Sequence, residues 1–396
     1  MTPEIKQRIE QIRRGEVPEG YKKGKLGVVP EEWEETSFSS LFTSTSDYTD
    51  DLEKYPLYSL TIEDGVTPKT ERYERSHLVK KEDSYKIVRP NDYAYNPMNL
   101  RFGSVARHKG NSPVAVSGYY DIFTTVHKSD LPFMDSFLTC DPMITYYNRV
   151  STGSLVEKQR VHFSQFLEFV LPLPSINERA KIAAILTTQD KVIELKEKRL
   201  AEKQRQKKYL MQQLLTGKKR LPGFSKEWKS VRLRNTLNVC HGQNQRNVEQ
   251  ENGVYPILGT GGEIGRTNDF LYDKPSILIG RKGSINKPMY METPFWTIDT
   301  LFYCKIKSGY HPKFLFFKFQ SINWNKYDES SGVPSLNAST IGSVDIFAPE
   351  FPEQTAIAEV LSAADREIDL LRQDIEQEKQ KKKALMQLLL TGIVRV

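Results

Sequence analysis

Two stretches of the chain carry nearly the same sequence. PSINERAKIAAILTTQDKVIELKEKRLAEKQRQKKYLMQQLLTG runs from Pro174 to Gly217, and PEFPEQTAIAEVLSAADREIDLLRQDIEQEKQKKKALMQLLLTG runs from Pro349 to Gly392. The copies align without a gap, 175 residues apart, and both close on LMQxLLTG. Because an internal repeat of this kind sets the architecture, we expect two related halves, each a globular domain followed by a similar helix.

Each copy has the apolar spacing of one long helix. Apolar residues at alternating steps of four and three form a coiled-coil seam, with polar residues in the middle of the first copy. The prolines precede each helix and the glycines stop it, so each helix would span roughly 55–60 Å. A pseudo-two-fold relation between the halves would pair the helices antiparallel. The seam residues are Ile182, Leu186, Ile193, Leu200, Leu210, Leu214, Ile357, Leu361, Ile368, Ile375, Leu385 and Leu389.

Composition narrows the class of protein. A chain of 396 residues with 38% hydrophobic residues can form two or three packed domains. Its net charge of +7 is mild evidence for an anionic partner, although helix lysines can simply face solvent. The three cysteines, far apart, fit a reducing compartment and argue against a zinc ribbon. With no secretory signal or apolar membrane span, we expect a soluble, cytoplasmic protein.

The segments outside the repeat are rich in short β-type runs. Trp33 and Trp228 stand at equivalent positions at the start of the two globular regions. β-Branched and aromatic residues broken by turn residues predict twisted β-rich domains, and HPKFLFFKFQSINWN predicts a small helix. Domain 1 contains the runs YPLYSLTI, DSYKIVRPNDYAYNP, SVARHK, SPVAVSGYYDIFTTV and FLTCDPMITYY, and domain 2 contains YPILGTGG, PSILIGRKGSI, PMYMETPFWTI and TLFYCKI.

The expected fold is therefore α+β, with an internal pseudo-two-fold repeat. Two β-rich domains are separated by two long helices that form an antiparallel coiled coil. The segments are 1–172 (an N-terminal helix and domain 1), 173–217 (the central helix), 218–347 (domain 2) and 348–396 (the C-terminal helix).

Motifs for catalysis are missing. Gly259–Gly265 lacks the third glycine of a dinucleotide loop and is interpreted as a turn between strands, and no phosphate-binding P-loop occurs. Asn96–Met98 and Asp141–Met143 do not match the motif of an adenine methyltransferase, and both are interpreted as turns. Glu227–Lys229 has a spacing found in nuclease metal sites, but this spacing is common by chance. The six histidines lack metal-ligand spacing, so neither a catalytic residue nor a metal ligand is assigned.

Motifs for binding DNA are better supported. Arg-x-Gly-Ser follows an apolar strand in each half, at Arg101–Ser104 and Arg281–Ser284. Arginine and lysine can contact guanine edges or phosphates, amides can pair with adenine, and glycine permits close backbone approach. The alternative for each single residue is a solvated hairpin loop. The candidate DNA-binding residues are Arg101, Ser104, Arg107, Lys109, Gln243, Asn244, Arg281, Lys282, Gly283, Ser284 and Lys287.

Two variable domains alternating with two similar helices resemble the specificity subunit of type I restriction–modification systems. The resemblance covers nearly the whole chain: VPEEW and SKEW at the domain starts, the helix starts Pro174–Leu186 and Pro349–Leu361, and GTGGEIGRTNDFLY, ILIGRKGSI and PFWTIDTLFYC in domain 2. Asn177-Glu178-Arg179 departs slightly from the family pattern, to which Pro352-Glu353-Gln354 stands closer.

The resemblance implies a non-catalytic reader of double-stranded DNA that binds no cofactor itself. Each target-recognition domain would read one half of a bipartite, asymmetric site, while the helix pair sets the spacer. The seam helices would also dock two modification subunits, which use S-adenosylmethionine to methylate adenine. Restriction subunits would add translocation and cleavage driven by ATP and Mg²⁺. Two alternatives remain: a solitary DNA-modifying enzyme, and a coiled-coil scaffold that does not bind DNA.

Overall fold

The computed structural model describes residues 2–45, 47–69, 85–155 and 159–396. The chain forms two compact units. The first contains residues up to 195 together with 375–396, and the second contains residues 196–374. Each long helix therefore contributes to both units. Within the described ranges, no helix combines the length and the apolar character that a membrane span requires.

Domain 1 belongs to the first unit and mixes short strands with short helices. Its elements are α1 (Pro3–Arg13), β1 (Tyr21–Gly24), β2 (Gly27–Pro30), β3 (Glu34–Ser37), α2 (Phe38–Leu41), β4 (Phe42–Thr45), β5 (Tyr48–Thr49), β6 (Tyr58–Thr61), β7 (Gly65–Pro68), β8 (Tyr85–Val88), β9 (Tyr93–Tyr95), β10 (Val105–Arg107), β11 (Val114–Ser117), β12 (Asp121–Thr125), α3 (Leu131–Phe137), α4 (Asp141–Val150), α5 (Phe163–Leu167) and β13 (Val170–Leu173). The first long helix, α6 (Ile176–Leu214), follows.

Domain 2 belongs to the second unit and precedes the second long helix. Its elements are β14 (Lys229–Arg232), α7 (Leu233–Thr236), β15 (Leu237–Cys240), β16 (Tyr255–Gly259), β17 (Gly262–Thr267), β18 (Ser276–Gly280), β19 (Met289–Met291), β20 (Trp296–Thr297), β21 (Leu301–Ile306), α8 (Pro312–Ser321), α9 (Ala338–Ser343) and β22 (Asp345–Ala348). The last helix is α10 (Phe351–Leu389).

The two domains share the topology of their main sheet. The main sheet has the order β10-β9-β12-β4 in domain 1 and β19-β18-β21-β15 in domain 2. Each domain also has a second, three-stranded sheet. In each domain an early strand pairs with the strand before the long helix, as β3 with β13 and β14 with β22. The α+β fold with an internal repeat is confirmed. The interpretation of Gly259–Gly265 as a turn is confirmed as well, because β16 and β17 form a hairpin there.

One sequence expectation in domain 1 is wrong. The sequence predicts a β-type run at FLTCDPMITYY and a turn at Asp141–Met143, but residues 141–150 form helix α4. Proline is favoured in the first turn of a helix, and Met143, Tyr146 and Tyr147 are buried at helical spacing. Packing of that face outweighs the β-propensity of tyrosine, isoleucine and threonine. The other runs contain strands, although Asp83 and Ser84 of the second run lie outside the described residues.

The two long helices pair antiparallel within each unit. In the first unit the Gln189 amide donates to the Glu378 carboxylate at 2.7 Å, and Lys382 pairs with Asp190 at 2.6 Å. In the second unit three lysines of α6 pair in reverse order with acids of α10: Lys196–Asp374, Lys203–Glu367 and Lys207–Asp365. These pairs explain why the seam of α6 is polar in its middle. The antiparallel coiled coil is confirmed, and all twelve apolar seam residues named from the sequence are buried or half-buried.

A cluster of three side chains joins each long helix to its domain. In the first unit the Trp33 indole donates to Glu178 at 3.3 Å, and Arg395 donates to both oxygens of Glu178 at 2.6 and 3.0 Å. Trp228, Glu353 and Arg220 make the same contacts in the second unit, at 3.2, 2.6 and 2.6 Å. We call these the Trp–Glu–Arg clusters. Each ties together a domain start, a helix start and the tail that follows LMQxLLTG.

Lys318 on α8 is a buried cation that contacts the end of α6. Its ammonium donates to the Leu215 carbonyl and lies 5.1 Å from the Trp228 ring centroid. The side chain is 6% exposed, and burial lowers the pKa of Lys318 to about 8. Between that value and its ordinary pKa of 10.5, the unfolded chain binds more protons than the folded chain. Stability should therefore rise with pH in this window and be lost as pH falls through it.

We expect Lys318→Met to remove this pH dependence. Relative to the variant, the free energy of unfolding of the native protein should increase by on the order of 1–3 kcal/mol between pH 7.5 and 9.5. Urea unfolding of both proteins at the two pH values measures the difference. Tyrosine ionisation affects the native protein and the variant equally, so its contribution cancels in the difference between their free energies of unfolding. If the free energy of unfolding changes with pH equally in both proteins, the lowered pKa of Lys318 is contradicted.

Candidate nucleic-acid interface

The two Arg-x-Gly-Ser segments occupy the same loop of the shared topology. The first connects β9 to β10 and the second connects β18 to β19, which are equivalent strand pairs. Gly103 has a φ of 91° and Gly283 a φ of 89°, a region that favours glycine. In both loops the residue after the serine donates its backbone N–H to the glycine carbonyl, at 2.8 Å for Val105 and 2.9 Å for Ile285. The two loops therefore share a left-handed glycine and the hydrogen bond to its carbonyl.

Arg101 is held in place at the start of the first loop. Its guanidinium donates to the side-chain oxygen of Gln159 at 3.0 Å and lies 4.6 Å from the centroid of the Phe102 ring. Asn148 donates to the Arg101 carbonyl at 2.7 Å. Half of the Phe102 side chain is exposed. The loop thus presents an aromatic face backed by a positioned cation.

The structure corrects the expectation for Ser104. Its side chain is 2% exposed, so it lies beneath the surface and cannot contact a DNA groove in this conformation. Arg107, three residues on, binds Asp135 through two nitrogens at 2.9 and 2.7 Å and donates to Asn91 at 2.7 Å. Arg107 therefore forms part of a hydrogen-bonded pair rather than a free cation.

Asp135 is the centre of a polar pocket in domain 1. Burial by itself lowers the pKa of Arg107, but the hydrogen bond and charge of Asp135 outweigh that effect and raise it. Tyr93 donates to Asp135 at 2.8 Å, and its pKa is raised, first by burial and then by the carboxylate. The exposed ammonium of Lys109 lies 3.6 Å from Asp135. The pocket has a volume of about 330 Å³ and offers both donors and an acceptor at its rim.

In domain 2, Gln243 and Asn244 lie on an exposed segment after β15. The backbone N–H of Gln243 donates to the Thr297 carbonyl at 2.8 Å, and the Trp296 indole donates to the Gln243 carbonyl at 2.9 Å. Asn244 accepts the N–H of Arg246 at 2.9 Å through its side-chain oxygen. The backbone is thus fixed while both amide side chains face solvent.

The second Arg-x-Gly-Ser loop is more open than the first. Arg281 is half-buried and donates to the Asp299 carbonyl at 3.2 Å, and Gly283 donates its N–H to the Pro334 carbonyl at 2.8 Å. The side chains of Lys282, Ser284 and Lys287 are exposed. This loop therefore places two exposed ammonium groups and a hydroxyl at the surface of domain 2.

Sequence reasoning did not find the partners that position these arginines. Asp135 stands on α3, far along the chain from Arg107, while Gln159 and Asp299 lie in irregular segments. No spacing pattern connects such residues, so the fold alone reveals them. Across the described ranges, no group of three or more His, Cys, Asp or Glu side chains is placed to hold a metal ion.

The two domains share the topology of their main sheet, and each presents a basic Arg-x-Gly-Ser loop. Each domain also packs on segments of the two repeated helices. This arrangement defines a two-domain recognition protein. Residues 225–380 match the model of the type I restriction modification DNA specificity domain. The putative type I restriction enzyme MjaX specificity subunit of Methanocaldococcus jannaschii is 25% identical, over 96% of this chain and 97% of its own length. The MjaVIII specificity subunit of the same organism is 26% identical, over 58% of this chain and 63% of its own length.

Solved structures share the fold. The S subunit of a type I restriction–modification system from M. genitalium superposes with a TM-score of 0.59 at 16% identity, over 90% of this chain and 96% of that one. A chain from a study of complex assembly and conformational transition of the type I system gives 0.58 at 14% identity, over 92% and 99%. In sequence and in fold, the chain is similar to the specificity subunits of type I restriction–modification systems.

Proposed function

We propose that this chain is a specificity subunit that reads a bipartite, asymmetric sequence in double-stranded DNA, one half with each domain. The observation that carries the proposal is the duplicated Arg-x-Gly-Ser loop. The left-handed glycine and the hydrogen bond to its carbonyl occur in both domains, but the groups around them differ. Gln159 and Phe102 flank the first arginine, whereas Lys282 and Asp299 flank the second. One scaffold with two different surfaces suits two different half-sites.

The coiled-coil helices fix the spacer between the half-sites and dock two modification subunits, which carry S-adenosylmethionine and methylate adenine. Restriction subunits supply the chemistry that needs ATP and Mg²⁺. This chain contributes recognition, and linking two readers on one support multiplies affinity through their effective concentration.

The test is a comparison of Arg281→Ala with Arg101→Ala in cells that also express the modification subunit. A well-placed arginine contact to a base pair is worth about 1–3 kcal/mol of discrimination. We therefore expect each variant to relax or lose recognition in one half of the methylated motif and to leave the other half unchanged. Genome-wide mapping of methyladenine reads both halves at once.

Arg232→Ala is the matched control, because this arginine lies on β14, outside the loop, and makes an exposed pair with Asp345 at 3.7 Å. It should leave the motif unchanged. An unaltered motif in both loop variants would remove these loops from the proposed readout. Methylation or cleavage by the purified chain alone would favour the solitary enzyme, and salt-insensitive, weak DNA binding would favour the scaffold.

A further inference from the structure

The first Arg-x-Gly-Ser loop is longer than the second and carries an exposed aromatic ring. Residues 96–102 connect β9 to the glycine of the first loop, whereas Arg281 and Lys282 alone connect β18 to the glycine of the second. The longer connection ends in a 3₁₀ turn, Leu100–Phe102. Phe102 is 50% exposed, and the exposed cation Lys282 takes the corresponding position in domain 2. The two domains therefore present different chemistry just before the shared glycine.

The 3₁₀ turn is fixed in place from both ends. The side-chain oxygen of Asn96 accepts two backbone N–H groups on the way into the turn, at 3.1 and 3.4 Å. Leu100, at 0% exposed, anchors the turn in the core of domain 1. Gly103 closes the turn with a φ of 91°. A side chain on such a fixed backbone loses little conformational freedom on binding, so Phe102 is presented ready for contact.

The surroundings of the Phe102 ring suit nucleic acid. The Arg101 guanidinium lies over the ring, 4.6 Å from its centroid. The phosphates that flank a base step would bring negative charge towards this guanidinium while the ring packs on a base. Apolar side chains on DNA-binding elements insert between base pairs as wedges in several classes of protein. An exposed ring beside a cation, on a loop proposed to read DNA, has the properties of such a wedge.

We propose that Phe102 inserts between two stacked base pairs of the half-site that domain 1 reads, and kinks the duplex there. Apolar wedges of this kind unstack a base step and bend DNA by about 20–90°. The loop of domain 2, with Lys282 in place of a ring, leaves its half-site unkinked. The inference rests on the proposed function, because that function supplies the half-site. It adds that the two domains treat their DNA differently.

The kink contributes to the chemistry proposed for the complex. A base in a duplex must leave the stack before an enzyme can methylate it, and this costs least where the stacking is already weakened. A step opened by Phe102 therefore assists methylation in the half-site of domain 1 and not in the other. The wedge is thus a positioning group for the DNA rather than a catalytic residue.

The experiment measures the bend of a duplex bound to the full-length chain together with the modification subunit. Donor and acceptor dyes flank one half-site in one duplex and the other half-site in a second, so energy transfer reports each bend separately. We expect Phe102→Ala to lose most of the bend in the half-site of domain 1 and to methylate that half-site several-fold more slowly. The bend and methylation of the other half-site should stay unchanged, and so should the methylated motif, because Arg101 is retained.

Two further variants separate a wedge from other roles of the ring. Phe102→Leu keeps an apolar side chain that can enter a base step, and it should retain most of the bend. Val126→Ala removes another side chain that is 50% exposed. Val126 follows the last residue of β12, while the first residue of β12 lies opposite the end of β9 where the loop begins. This control should change neither the bend nor methylation. Thermal unfolding of each chain identifies a variant that fails to fold.

Three results would overturn the wedge. They are an unbent half-site in the native complex, a bend that Phe102→Ala leaves intact, and equal loss of the bend in Phe102→Leu and Phe102→Ala. The last result would mean that the ring merely supports Arg101. Sequence-specific binding to an unbent duplex refutes the wedge alone, whereas failure of the native complex to recognise any motif refutes the proposed function as well.

Discussion

Adding one heptad to each long helix is expected to lengthen the unspecified spacer of the methylated motif while leaving both half-sites unchanged. Seven helical residues add about 10.5 Å, which corresponds to about three base pairs if the helices lie along the DNA. The reading loops stay the same, so the bases that they contact should stay the same. Mapping methyladenine in cells that express the lengthened chain with its modification subunit gives both the spacer and the half-sites.

The position of the insertion follows from the ion pairs. Lys196 on α6 faces Asp374 on α10 at 2.8 Å, so extra heptads placed beside these two residues lengthen both helices at the same level. Seven residues nearly preserve the seam, because a heptad departs from the period of the helix by about 20°. An insertion in one helix alone would leave seam residues unpaired, and we expect it to lower stability rather than to lengthen the spacer cleanly.

The control replaces exposed residues at the same level without changing the length of either helix. Leu195 and Leu370, equivalent in the repeat, are 65% and 66% exposed and can be replaced by alanine. These changes should leave the spacer as it is. If the chain with two added heptads folds and directs methylation with the original spacer, the helices do not set the distance between the half-sites.

The repeat accounts for most of the fold that could be predicted. Its seam identified residues that are buried or half-buried without exception, because a period of 3.5 residues leaves few ways to arrange two helices. It also predicted that two otherwise divergent domains share one scaffold. The loops at Gly103 and Gly283 bear this out, since a positive φ is required at the same place in both.

What could not be predicted depends on contacts between distant segments. Tyr146 and Tyr147 favour strands in isolation and therefore predict a strand where the chain forms helix α4. Their burial in the core stabilises the helix instead. The Asp135 pocket follows from the packing of α3 beside β10. A sequence signal for the Trp–Glu–Arg clusters did exist, because Arg220 and Arg395 are separated by the same 175 residues as the helices, but they lie just beyond the aligned block.

Replacing Glu353 with alanine is expected to destabilise the second unit strongly. Glu353 is 3% exposed and accepts hydrogen bonds from the Trp228 indole and from two nitrogens of Arg220. Without the carboxylate, the tryptophan N–H loses its partner and the helix start loses its link to the domain. Loss of buried hydrogen bonds to a charged group costs on the order of 2–3 kcal/mol.

The residue just before α10 supplies the control. Glu350 pairs with Lys226 at 2.8 Å, but both side chains are more than half exposed, and such pairs contribute about 0–1 kcal/mol. Glu350→Ala should therefore move the unfolding midpoint little, while Glu353→Ala lowers it clearly. Glu178→Ala tests the equivalent cluster in the first unit and should resemble Glu353→Ala. Equal midpoints for Glu350→Ala and Glu353→Ala would mean that the clusters do not hold helix and domain together, because an exposed pair and a buried one would then contribute alike.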